Sequence, residues 1–154
     1  LVNSALDGVA RDLSGVVADI VKYAGSDLVC YRAGEPDGLV AAQAAAWDPA
    51  LAFAREKFGA RFILAEGVMF AAQPDHAIEA FSRAVDAFAK TPDAALGIAA
   101  LHSMTTLLGS ALLALMVAHG ALAIEDAWAA AHVDEDWQMR LWGADEAADL
   151  WAAL

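Results

Sequence analysis

The sequence predicts a mainly α domain, and three observations carry that prediction. Alanine supplies much of a composition that is 60% hydrophobic, and alanine is the strongest helix former. Apolar residues recur every three to four positions over long stretches, the period of an amphipathic helix. Gly, Pro and Asp divide those stretches at regular intervals with the chemistry of helix stops and starts. At 154 residues the chain suits one domain around one core, residues 1–154.

Taken in order, residues about 4–24 place Leu6, Val9, Leu13, Val16, Val17, Ile20 and Val21 at helical spacing, with Gly25 as the stop. Asp27 to Arg32 reads as extended, and Gly34-Glu35-Pro36-Asp37-Gly38 is turn chemistry. An Ala-rich helix runs to about Trp47, where Asp48-Pro49 offers an N-cap and a first-turn proline for a further helix to Phe58. Arg61 to Gln73 is the one β-like stretch. Phe62, Ile63 and Leu64 are separated from Val68, Met69 and Phe70 by Ala65-Glu66-Gly67, which fits one short β-hairpin near 61–73. Helices are predicted again over about 75–89, 92–119, 124–132, 133–142 and 145–153.

The 92–119 helix is predicted to be long, central and buried. From Ala94 to Ala118 there is no Asp, Glu, Lys or Arg, and at about 1.5 Å rise per residue the stretch is long enough to cross a bilayer. Basic flanking residues are absent, His102 sits mid-helix, and acidic amphipathic helices surround it. These features favour a buried helix over a membrane span. Leu101, Met104, Leu108, Leu112 and Leu115 form its large apolar face, and His102, Thr106, Gly109 and Ser110 cluster on the other. His102 is read as a hydrogen-bonded core histidine.

Charge narrows the function classes. The net charge is −12, with nine Lys and Arg against twenty-one Asp and Glu, which excludes a phosphate-neutralising stripe for nucleic acid and disfavours anionic membrane surfaces. Cys30, the only cysteine, can form no intramolecular disulfide and reads as a small core residue. There is no Gly-rich phosphate loop, no GxSxG elbow and no HExxH helix. No cofactor, metal or catalytic residue is expected.

The chemistry-bearing stretch is His132 to Gly143, HVDEDWQMRLWG. His132, Asp134 and Asp136 do not make a metal site, because two-residue steps on a helix turn about 200° and aim successive side chains apart. On a wheel of about 100° per residue, Val133, Trp137 and Leu141 fall within about 80° and form a narrow core stripe. Asp136 and Arg140 form an i,i+4 ion pair on its flank. Glu135, Gln138, Met139 and Trp142 occupy another arc and face outward. A carboxylate, an amide, a thioether and an indole together suit a partner-binding surface, since Met and Trp are enriched at interfaces. The alternative is a small acidic helical enzyme with Glu135 as general acid/base, which needs a pocket where Glu135 or another carboxylate meets His132 or His76.

These residues also carry a family resemblance. Asn3-Ser4-Ala5-Leu6-Asp7-Gly8-Val9, Ala24-Gly25-Ser26-Asp27-Leu28-Val29-Cys30-Tyr31-Arg32, Gln43 with Trp47-Asp48-Pro49, Glu66-Gly67-Val68-Met69 with Gln73-Pro74, Leu101-His102, Gly109-Ser110, and Asp134-Glu135-Asp136-Trp137-Gln138 with Trp142-Gly143 occur in the order and spacing of one family. The chain resembles the mitochondrial and α-proteobacterial chaperones that assemble the catalytic head of the F-type ATP synthase by holding its unassembled α subunit. The resemblance implies a helical C-terminal domain preceded by a β-rich part, a non-enzymatic function, and the α subunit as partner until the β subunit replaces it. It points to Glu135 first among the contact residues, with Asp134, Gln138, Met139 and Trp142 beside it. The Ala-rich composition and the absence of a transit peptide favour a bacterial cytoplasm over the mitochondrial matrix.

Overall fold

The computed structural model describes residues 2–67 and 69–153, with the side chains of 2–6, 144, 145 and 148 outside that description. The Leu6 side chain and Val68, which the sequence assigns to the first apolar face and to the hairpin, therefore lie outside the described residues. The helices are α1 (Val2–Arg11), α2 (Leu13–Gly25), α3 (Asp37–Phe58), α4 (Asp75–Ala89), α5 (Ala94–Leu108), α6 (Ala111–Ala118), α7 (Ile124–Ala131) and α8 (Val133–Ala152). A 3₁₀ turn, Leu28–Cys30, leads into β1 (Tyr31–Arg32), which pairs in parallel with β2 (Ala65–Glu66). The mainly α class is as predicted.

Helix α6 is the centre. Ala111, Leu112, Leu113, Ala114 and Leu115 are wholly buried, so the helix has no polar face and must be covered on all sides. Helices α2 and α5 pack on it from one side and α3 and α7 from another, while α4 closes on α2 and α5. Ile20, Trp47, Phe81, Ile98 and Leu101 fill the spaces between them. Helix α8 rests mainly on α3.

The predicted helix over 92–119 is two helices. Gly109 adopts the left-handed conformation at φ +67° and ends α5, and Ser110 starts α6 by accepting from the Leu113 amide at 3.1 Å. The pair Gly109-Ser110 is a helix stop followed by a helix start. Among the described residues no helix is long and apolar enough to cross a membrane. The predicted helix over 4–24 is also two: Asp12 caps α2 by accepting from the Gly15 amide at 3.2 Å. A Cβ at position 15 would run into that carboxylate.

Two expected breaks are absent. Helix α3 passes through Pro49 without ending, although an interior proline costs about 3 kcal/mol. Burial of Trp47, Ala50 and Ala54 on the flanking turns offsets that cost, and Trp47 Nε1 donates to the Ala130 carbonyl at 2.7 Å. Asp48 does not cap; its carboxylate holds the Arg32 guanidinium at 2.8 Å. Likewise α8 runs through Gly143 as one helix rather than 133–142 and 145–153.

The hairpin near 61–73 is overturned. Among the described residues its one strand, Ala65–Glu66, pairs with Tyr31–Arg32 instead, and the loop is fastened by Gln73. That amide accepts from the Ile63 amide at 2.8 Å and donates to the Ile63 carbonyl at 2.9 Å, a two-bond ladder step made by a side chain. His102 is hydrogen-bonded as expected, to Asp19 at 2.7 Å, but it lies at the surface with a third of its side chain exposed. Cys30 is buried, and burial pushes its thiol up to about 12.

The residue that locks α6 in place is Asp27, which is wholly buried. Its carboxylate accepts from the Ser110 hydroxyl at 2.6 Å, from the Leu112 amide at 3.0 Å and from the Val29 amide at 3.2 Å. One side chain thus caps the 3₁₀ turn and the N-terminus of α6. Burial raises its pKa from 3.8 to about 6, against the lowering effect of these hydrogen bonds. The folded chain therefore binds the Asp27 proton more tightly than the unfolded one, so this group's stabilisation is fullest below about pH 4 and is lost as pH rises through 6. The swing is about 3 kcal/mol. Denaturant unfolding of wild type and Asp27→Asn from pH 4 to 7 should show their stability difference moving by up to that amount in favour of the Asn variant as pH rises. Asp27→Ala, which leaves buried amides without an acceptor, should lose about 2–4 kcal/mol at pH 4, and the loss should shrink as pH rises through 6.

Candidate functional site

Helix α8 has one held face and one open face. Its first turn is placed by two contacts with α3. Gln43 is buried in an Ala-rich helix; its Oε1 accepts from the Ala33 amide at 2.8 Å and its Nε2 donates to the Asp134 carboxylate at 2.7 Å. Trp137 lays its indole over Gly38, where any Cβ would meet the ring. Val133 and Trp137 are partly buried, as the core stripe requires, but Leu141 is 43% exposed because the helix has by then outrun the core.

The predicted contact residues divide. Glu135, Gln138, Met139 and Trp142 lie exposed on α8, with Met139 at 68% and Trp142 at 67%. Asp134 is half-buried, and its carboxylate accepts from Gln43, which seats the start of the helix. The Asp136–Arg140 ion pair is also absent. Arg140 Nε donates to the Asp136 carbonyl at 3.4 Å, and its guanidinium lies 5.8 Å from the Trp137 ring centre. A cation over an indole face satisfies Arg140 without the carboxylate.

Just before α8, His132 stacks on Trp128 with ring centres 4.2 Å apart, and its Nδ1 lies 2.8 Å from the Trp128 carbonyl. Trp128 itself is 53% exposed. From Ile124 to Ala153 the sequence holds eight carboxylates, one cation and four of the five tryptophans. The side of the molecule formed by α7 and α8 is thus acidic and aromatic together. Leu150 and Trp151 continue the apolar surface along α8.

Neither histidine meets Glu135. His132 is committed to Trp128, and His76 is exposed at the start of α4. The clefts described in the structure are lined without Glu135. Among the described residues no group of three or more His, Cys, Asp or Glu is placed to hold a metal ion, and His132 and Asp134 point to different partners. The geometry gives Glu135 no catalytic company.

Residues 1–55 match the family described as ATP12 chaperone protein. The whole fold superposes on Atu1473 of Agrobacterium tumefaciens, whose description proposes a chaperone, with 51% identity, a TM-score of 0.85 and 99% of this chain covered. The chain is thus similar to ATP12 chaperones in sequence over residues 1–55 and in fold over nearly its whole length. Atp12 from Paracoccus denitrificans is similar at 36% identity, with a TM-score of 0.83 over 98% of this chain, and a lysine-for-aspartate variant of that protein at 35% and 0.83. The chain spans 55% of the length of the Agrobacterium protein and 63% of that of Paracoccus Atp12. Family and neighbours are described as chaperones, in keeping with a site built from contact residues.

Gln43 and Trp47 were not singled out as α8 and α7 supports from the sequence, although a lone amide and a lone indole in an alanine-rich helix are the signal. The two faces of α8 should separate in mutagenesis. Gln43→Ala should lower stability by about 1–3 kcal/mol by orphaning the Ala33 amide and Asp134. Met139→Ala and Trp142→Ala should stay within about 0.5 kcal/mol of wild type in the same urea titration.

Proposed function

We propose that this chain is the client-holding helical part of an assembly chaperone for the F-type ATP synthase, and that its client is the unassembled α subunit. Similarity to ATP12 chaperones supports the class of function. The observation that carries the reading is the open face of α8, where Glu135, Gln138, Met139 and Trp142 stand exposed on a helix whose other face is fixed by Gln43 and Gly38. A chaperone of this kind covers apolar surface on its client and then gives way to the client's permanent neighbour. It needs a contact that forms fast and does not become too strong.

The chemistry of the face meets both needs. Long-range attraction from a strongly acidic surface raises the encounter rate with a complementary partner. A few exposed Met and Trp side chains supply local apolar contact, and the patch stays modest enough for exchange. Glu135 sits in the first turn of α8, where a carboxylate also favours the helix dipole by a few tenths of a kcal/mol. Its replacement therefore costs the fold little. The compartment that fits this role is a bacterial cytoplasm or a mitochondrial matrix.

The purified protein should bind isolated α subunit and suppress its aggregation without ATP, read by light scattering and by pull-down. Glu135→Lys should keep the circular-dichroism helix signal and the melting temperature within a few degrees, yet abolish pull-down of the α subunit. Absence of binding and of aggregation suppression with the wild-type protein refutes the proposed client. Binding that survives Glu135→Lys removes that residue from the contact.

A further inference from the structure

Beside the open face of α8 lies a cleft of about 310 Å³ between α3 and α7. Its walls are Ala45, Ala46 and Pro49 of α3, Ala129 of α7 and Val133 at the start of α8, with the Asp126 carboxyl group at its edge. The walls are apolar, small on these sides and completed by Met116 of α6 and by Leu122. One charged group breaks that surface. Asp126 is exposed and forms no ion pair among the described residues.

We propose that this cleft takes the side chain of a lysine or arginine from a basic segment of the bound client. A lysine or arginine carries an aliphatic stem below a charged head, and the cleft supplies the matching surfaces in the same order: apolar walls, then a carboxylate. Charge complementarity selects this occupant. The chain carries −12 overall, and its α7–α8 stretch has eight carboxylates against Arg140 alone, so a basic segment is drawn to this side while a second copy of the chain is repelled. Val133 lines the cleft two positions before Glu135, which makes the cleft continuous with the outward face. The inference deepens the proposed function and rests on its reading of the α7–α8 side as the client side.

The probe is a short peptide of alternating lysine and leucine, titrated into the isotope-labelled protein, with a glutamate-for-lysine counterpart as control. The amide resonances of Asp126, Ala129 and Val133 should shift with the basic peptide and not with the acidic one. Asp126→Asn and Ala129→Leu should each weaken peptide binding about tenfold, the loss of one charge-assisted contact or of the stem's space. Asp126→Asn should also flatten the salt dependence. The same two variants should lose a comparable factor in affinity for the α subunit. Shifts confined to α8, or both variants binding the peptide as wild type does, overturn the proposal. A lowered melting temperature with unchanged peptide affinity overturns it too, assigning Asp126 to the dipole of α7. A change of oligomeric state in Ala129→Leu overturns it in favour of a second copy. If the peptide occupies the cleft but the α subunit does not bind, the cleft stands and the client reading falls.

Discussion

One buried carboxylate organises the fold. Helix α6 has almost no polar surface and lies among α2, α3, α5 and α7, so its N-terminal amides must find acceptors where water does not reach. Asp27 supplies them from outside the helix, together with Ser110 from within. The solution has a cost, since a carboxylate in an apolar interior is held away from its preferred solvation, and its raised pKa records that. It also has a return. The same carboxylate fixes the turn that leads to β1, and the Leu28 amide reaches the Gly109 carbonyl at 3.4 Å beside it. The central helix and the chain's first crossing are therefore set by one group.

From that centre outward, lone polar side chains place the elements that carry the site. Trp47 ties the end of α7 to α3 through the Ala130 carbonyl. Gln43 ties the start of α8 to α3 and to the segment after β1. Arg32 bonds the Val29 carbonyl and Asp48 while lying over Trp47, 5.5 Å from its ring centre. These three neighbours on α3, Gln43, Trp47 and Asp48, connect the 3₁₀ turn, β1, α7 and α8. Among the described residues, helix α8 is held through its first turns, and Leu150 and Trp151 in its second half are uncovered.

Periodicity made the helices legible, and α4 was bounded correctly to the residue, because helical spacing reports burial of one face directly. The breaks were less legible, for two opposite reasons. Gly109-Ser110 and Asp12 were absorbed into longer helices, although each carries a stop or cap signature, because hydrophobic spacing continued across them. Asp48-Pro49 and Gly143 were read as breaks, although tertiary burial of Trp47 and Ala50 carries α3 through its proline. At the site, the wheel separated inner from outer faces of α8, and Glu135, Gln138, Met139 and Trp142 do lie outward. Asp134 was grouped with them, and its hydrogen bond to Gln43, ninety-one positions away, was not legible. No local pattern encodes that pairing. The Asp136–Arg140 pair failed for the converse reason: an indole in the same turn competed for the guanidinium.

An exposed aromatic helix is ordinarily a liability, because a patch open to one partner is open to every copy of itself. Here Trp128, Met139, Trp142, Leu150 and Trp151 are all more than half exposed, yet the carboxylates around them make like-to-like contact unfavourable. Two chains carrying −12 each repel before their indoles can meet, whereas a basic surface is attracted over about a Debye length. The acidity of α7 and α8 therefore does more than aid solubility. It converts an unselective apolar face into one that discriminates by charge at a distance and by shape at contact, and it lets the same side chains stay exposed while no client is bound. That division of labour fits a helix in which runs of carboxylates, Asp134 to Asp136 and Asp145 to Asp149, flank Trp142 and precede Trp151 in the sequence.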